Sequence, residues 1–129
     1  MNFNIETYDM QSCSIDWDDI ANTMFPLTNE MCEKNDYSNM NNKVYMDKLY
    51  INNSLYGICI YSFHNKELII YSFEISANSR YLGIGKIFLN YYLNKYNIVR
   101  LSCLPDVKIF YEKCGFIETE DCRMVYYGL

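Results

Sequence analysis

The sequence predicts an α/β (α+β) fold: a mixed, mostly antiparallel sheet of about six or seven strands with helices on both faces. Three observations predict it. Three runs rich in β-branched and aromatic residues follow one another across short polar turns, from Val44 to Ile75. A loop carrying Gly83 and Gly85 then separates the third run from an amphipathic stretch. After that come a fourth strand-like run, a short helical segment and terminal strands. Strands joined by tight turns pair antiparallel, whereas strand–helix–strand implies one parallel pair.

Taken in order, Phe3–Tyr8 alternates as a first strand. Ser14-Ile15-Asp16-Trp17-Asp18 reads as a helix start, with Ser14 as cap, acids in the first turn, and Ile15, Ile20 and Met24 as candidate buried positions. Pro26 is expected to stop that helix, and Asn29–Met40 reads as a second one, with a loop at Asn39–Asn42. Val44–Ile51 and Leu55–Phe63 are strands linked by Asn52-Asn53-Ser54. His64-Asn65-Lys66 turns the chain into Leu68–Ile75. Beyond the glycines, Ile84, Ile87, Phe88, Tyr91 and Tyr92 recur at helical spacing, while Lys86, Asn90, Asn94 and Lys95 fall largely on the other side. Ile98–Leu104 is a strand, Pro105 suits the first turn of a short helix, and Gly115 suits its end. Terminal strands such as Arg123–Tyr127 close the chain.

The 129 residues fit a single domain over 1–129, and with half of them hydrophobic and 17% aromatic a packed core is expected. No segment approaches the ~20 apolar residues of a membrane span. Met1-Asn2-Phe3-Asn4 lacks a basic region followed by an apolar one, so a soluble, cytoplasmic protein with no membrane role is expected. Six cysteines occur without a C-x-x-C pair and beside one histidine, which disfavours a disulfide framework and a metal site. Residues 1 to 50 carry nine acidic and three basic side chains, residues 51 to 129 seven and eight. The acidic half, including Asp16, Asp18, Asp19, Glu30, Glu33 and Asp36, is either a solvated surface or a field that attracts cations; either way it repels nucleic acid.

Arg80-Tyr81-Leu82-Gly83-Ile84-Gly85-Lys86 is the segment that carries chemistry. A glycine loop opening a helix presents unpaired N–H groups and the positive end of the helix dipole, a setting for phosphate. A P-loop would need G-x-x-x-x-G-K-[ST], but Gly83 and Gly85 are too close and Ile87 follows Lys86. The dinucleotide fingerprint needs three glycines near the start of a βαβ unit, and this run has two beyond mid-chain.

The pattern that fits is [Q/R]-x-x-G-x-[G/A], with Arg80, Gly83 and Gly85, and it resembles the acyl-CoA loop of the GNAT superfamily of N-acetyltransferases. About thirty residues on, Phe110-Tyr111-Glu112-Lys113-Cys114-Gly115-Phe116 resembles the F-Y-x-K-x-G-F segment of the same superfamily. The resemblance covers roughly Val44 to Leu129. It implies a GNAT-like fold and transfer of an acetyl group from acetyl-CoA to a primary amine, on a small molecule or a peptide or protein. No metal is implied. The strand backbone near Phe73–Ile75 would meet the pantetheine arm. Amides across Tyr81, Leu82, Gly83, Ile84, Gly85 and Lys86 would hold the pyrophosphate, and the Arg80 guanidinium would add a charge-assisted contact.

The resemblance also assigns roles in the chemistry. Tyr111 aligns with the tyrosine that protonates the departing thiolate, as a phenol with an ordinary pKa near ~10 can. A general base is implied on the strand before the loop, and Glu74 is the candidate there. Simple alternation, however, gives the face of Ile75 to Tyr71 and Ile69 and turns Glu74 the other way, toward a bulge or a helix; Glu67 lies far from the loop. A water chain is the alternative base. His64 occupies a turn, and Cys103 without a partner histidine reads as a small buried residue. Leu104 stands where many relatives have an asparagine contacting the coenzyme. Two readings follow: an N-acetyltransferase with a cationic amine acceptor, able to form a homodimer through terminal strands, or an acyl-CoA-binding regulatory or interaction module with little or no turnover.

Overall fold

In the computed structural model, residues 2–11, 24–34, 43–79 and 83–128 are described. Seven strands, β1 (Phe3–Asp9), β2 (Tyr45–Ile51), β3 (Ser54–His64), β4 (Glu67–Ile75), β5 (Ile98–Ser102), β6 (Ile117–Glu120) and β7 (Arg123–Tyr127), form one sheet. Their order is β1-β2-β3-β4-β5-β7-β6. Every neighbouring pair is antiparallel except β4 and β5, which run parallel across the connection through helix α2 (Ile84–Leu93). The other helices are α1 (Pro26–Lys34) and α3 (Lys108–Lys113). The mixed, mostly antiparallel sheet expected from the sequence is therefore present. The two hairpin turns expected between β2, β3 and β4 are Asn52-Asn53 and Asn65-Lys66, all four residues at positive φ, the geometry that two-residue hairpins demand and that asparagine tolerates.

Two boundaries differ from expectation. Pro26 opens a helix where it was expected to stop one. Its fixed φ suits a first helical turn, where an amide N–H has no intrahelical partner. The helix expected at Ser14 and the loop at Asn39–Asn42 lie outside the described residues. Strand β5 ends at Ser102, before Leu104, because Pro105 already starts a 3₁₀ turn over Pro105–Val107. Arg123–Tyr127 is also an inner strand, between β5 and β6, so strand pairing between copies is left to the β1 and β6 edges.

A bulge in β4 corrects the expected side-chain parity. Ile60 on β3 faces Ser72 while Tyr61 faces Ile70, which leaves Tyr71 as an extra residue. Leu68 and Ile70 below the bulge thus share a face with Phe73 and Ile75 above it, and Tyr71 packs in the cluster on the other face. Simple alternation fails here for that reason alone.

The larger core lies between the sheet and α2. Phe88, Leu89 and Tyr92 of α2 pack there with Leu68, Ile70 and Val99, each fully or nearly fully buried. Burial of each such side chain contributes about 1.5–3 kcal/mol. Close approach of the helix requires Gly57 on β3, since a Cβ there would stand 2.9 Å from the Phe88 ring. The opposite face carries Phe25, Val44, Met46, Ile58 and Ile60, beneath α1. Under α2 sits a buried carboxylate. Asp47 on β2 accepts hydrogen bonds from Thr7 Oγ1 of β1 (2.7 Å), Tyr61 Oη of β3 (3.0 Å) and Tyr92 Oη of α2 (2.7 Å). Burial, then the nearby Cys59 and Asp47, push the Tyr92 phenol far above its ordinary range. These hydroxyls replace the water the carboxylate gave up, and they pin the last turns of α2 to the middle of the sheet.

Candidate active site

The site begins where β4 and β5 part. Their parallel pairing runs from Glu67 opposite Ile98 to Ile70 opposite Leu101, and beyond that point the strands no longer pair. A cavity of about 710 Å³ opens in the fork, lined by β4 from Ile70 to Ile75, by the chain from Leu101 to Leu104, by Gly85 of α2, and by Tyr111 of α3. The N-terminus of α2 and the helix carrying the sequence-predicted tyrosine therefore meet at one cavity.

At the mouth, Gly83 caps α2 at φ 75°, ψ 5°, a left-handed conformation that suits glycine, and a Cβ there would meet no atom within 4 Å. The first helical bond runs from Ile87 N–H to the Gly83 carbonyl at 3.3 Å, so the amides of Ile84, Gly85 and Lys86 precede the intrahelical ladder. No acidic residue lies in this first turn, and the Lys86 side chain is exposed beside it. Such an end of a helix favours an anion by dipole and by donors. Ile84 is buried and holds the turn to the core. Phe73 leans on Phe88 of α2 with ring centroids 5.2 Å apart, and Phe73 and Ile75 both line the cavity. Arg80, Tyr81 and Leu82 lie outside the described residues.

Tyr111 is 6% exposed, its ring set edge-on between Phe110 and Phe116. Burial, reinforced by Cys59, Cys103 and Cys114 nearby, raises its phenol above the ordinary value, so it stays protonated at neutral pH. Among the described residues its hydroxyl has no hydrogen-bond partner. A buried, unpaired O–H in a cavity wall is uncommon and marks a place where a ligand atom can be received.

Glu74 also lines the cavity, and its carboxylate is committed. Oε1 accepts from the Thr28 amide and hydroxyl, both at 2.8 Å, and Oε2 from the Leu27 amide at 3.2 Å. All three donors come from the first turn of α1, which has no acid of its own, so β4 supplies the helix with its anionic cap. The expected turn of Glu74 toward a helix is met, and the helix is the one Pro26 opens. Sequence reasoning named Glu30 only as one acid of the N-terminal half and did not single out Asp106. They reach the same cavity from α1 and from the turn after β5, making every charged lining residue acidic among those described. No local spacing signals this, because the three acids come together only through the sheet. Leu104 is 53% exposed on the cavity rim, Cys103 lines the wall, and His64 closes β3 at the hairpin away from the fork.

No protein-family model matches the sequence, and no curated protein matches it. Solved structures do. The N-acetyl transferase from E. coli bound to coenzyme A superposes with a TM-score of 0.69 at 16% identity, covering 99% of this chain and 100% of that one. A GNAT family acetyltransferase from Elizabethkingia anophelis with acetyl-CoA bound gives 0.64 at 16% identity, covering 98% of each chain. An IAA acetyltransferase from Bacillus cereus gives 0.63 at 14% identity, covering 98% of this chain and 99% of that one. The chain thus has full-length structural counterparts among acetyltransferases, and its fold is the GNAT acetyltransferase fold.

Proposed function

We propose that the protein transfers an acetyl group from acetyl-CoA to a cationic primary amine, on a small molecule or on a peptide or protein. The observation that carries this reading is the convergence, at one cavity, of the α2 N-terminus and the buried, unpartnered phenol of Tyr111. The amides at Ile84, Gly85 and Lys86, with the flanking Arg80, Tyr81 and Leu82, take the pyrophosphate. The β4 backbone at Phe73 and Ile75 takes the pantetheine arm along the edge that β5 leaves.

The acidic lining of Glu30, Glu74 and Asp106 favours a protonated amine at the entrance. One amine proton must leave before attack. Glu74, with three hydrogen bonds already accepted, serves better as a fixed negative charge than as the base, so the proton passes through water to solvent. The amine then adds to the thioester carbonyl, and the tetrahedral intermediate collapses with loss of the thiolate. Tyr111 Oη delivers its proton to that sulfur, and the proton that the new amide nitrogen sheds restores the phenol through water.

The engagement of Glu74 by α1, with Leu104 at the rim, favours a second reading: a coenzyme-binding module without turnover. Free-thiol release from acetyl-CoA, measured across a panel of polyamines, peptides and lysine-bearing proteins, separates the two. Turnover with an amine supports the transferase. Tight coenzyme binding with no release for any amine overturns it in favour of the module.

A further inference from the structure

Cys103 and Cys122 stand opposite each other at the end of the β5–β7 ladder. Ser102 faces Arg123 in that pairing, and the next step brings the Cys103 amide to the Cys122 carbonyl at 2.9 Å. A strand pair bonded in this way has Cα atoms about 5.5 Å apart, and here the two thiols also lie close enough to interact with each other directly. A disulfide needs a Cα separation of ~4.4–6.8 Å, so the backbone already lies within the range for closure. Both thiols are free and partly exposed, and each feels the other's neighbourhood: Lys108 and Glu118 act on both, and Asp121 flanks Cys122. Cys122 sits in a turn at φ 58°, held by the hydrogen bond that its backbone N–H donates to Glu118 Oε2 at 3.0 Å. Glu118 in turn pairs with Lys108 at 2.9 Å, at the start of α3.

The position matters because Cys103 lines the cavity while Cys122 does not. We propose that this pair is a reversible thiol–disulfide site that couples the redox state of the surroundings to occupancy of the fork. The oxidant is a small disulfide such as oxidised glutathione. The Cys122 thiolate attacks one sulfur, forming a mixed disulfide and releasing one glutathione thiolate. The Cys103 thiolate then attacks the Cys122 sulfur, forming the protein disulfide and releasing the second. Two protein thiols are oxidised, one small disulfide is reduced to two thiols, and the protein's protons end on them. Closure draws the Cys103 side chain out of the cavity wall and ties the β6–β7 turn to the segment that leads into α3.

Burial and the neighbouring acids raise both thiols, which makes exchange slow at neutral pH and faster as pH rises. The intact protein, equilibrated in glutathione buffers of graded ratio, is read by mass spectrometry and by calorimetry with acetyl-CoA. The mass is expected to fall by two hydrogens, with the link mapped to Cys103 and Cys122. Coenzyme affinity is expected to weaken several-fold and to return with reductant. In Cys122→Ser the oxidising buffer should yield no link and no change in affinity. A link to Cys59 or Cys114, or glutathione adducts alone, overturns the site; a correct link with unchanged affinity overturns the coupling. Closure is read by mass, so a failure of the coenzyme reading is distinguishable from a failure of this one.

Discussion

Two of the helices that meet the cavity, α1 and α2, are held in opposite ways. Helix α2 is fixed by apolar burial along its length, by the Gly57–Phe88 contact, and by Tyr92 tied to Asp47. Helix α1 rests on a cluster of five buried residues and on a polar clasp to one carboxylate, Glu74. Non-directional burial over many atoms holds position firmly, whereas a clasp fixes direction and releases when one partner changes. The α2 end of the cavity is therefore built rigid, and the α1 end is built adjustable.

The comparison is broken most severely by Phe88→Ala, which should cost about 3–5 kcal/mol in a urea titration, because Gly57 leaves the void without a side chain to fill it. A loss under ~1 kcal/mol would mean that α2 is not anchored as described. Next is Tyr111→Phe, expected to lower turnover by at least ~10²-fold with coenzyme affinity nearly unchanged. Its pH profile sharpens the assignment. Because burial raises the phenol, the alkaline loss of wild-type turnover due to Tyr111 should begin above the ordinary tyrosine range near ~10, and it should be missing from the variant. The same sign applies to stability: a raised phenol favours the fold at lower pH, and that contribution fades as pH climbs from the unfolded pKa toward the folded one.

Glu74→Gln should cost about 1–3 kcal/mol, localised to α1. Hydrogen exchange at Leu27 and Thr28 would accelerate while the amides of Phe88 and Leu89 hold; equal acceleration in both helices would erase the contrast. The smallest effect is expected for Gly83→Ala. Space is open there, so only the left-handed backbone opposes the substitution, at about 1 kcal/mol, with a modest weakening of acetyl-CoA binding measured by calorimetry.

How far these features were legible in the sequence depends on whether their cause is local. The hairpins at Asn52-Asn53 and Asn65-Lys66, the amphipathic stripe of α2 and the glycine turn before it are written in neighbouring residues and were readable. Pro26 was misread because proline serves both to end one helix and to begin another, and the deciding partner, Glu74, lies 46 to 47 residues from the amides it caps. Glu30 and Asp106 joined the site for a similarly non-local reason. The faces of Ile69 and Tyr71 were missed because a bulge has no composition of its own.

That bulge has a consequence for how the chain tolerates change. Tyr71 acts as a reading-frame shift for side chains: everything before it is counted in one phase and everything after it in the other. Removing this one residue would leave Ile70 and Ser72 opposite Tyr61 and Ile60 in plain alternation, so Phe73 and Ile75 would keep the α2 face and only the local kink and the Tyr71 contacts would be lost. A deletion at Tyr71 should therefore need no compensating insertion, because the residues on either side of it already pair with consecutive positions of β3.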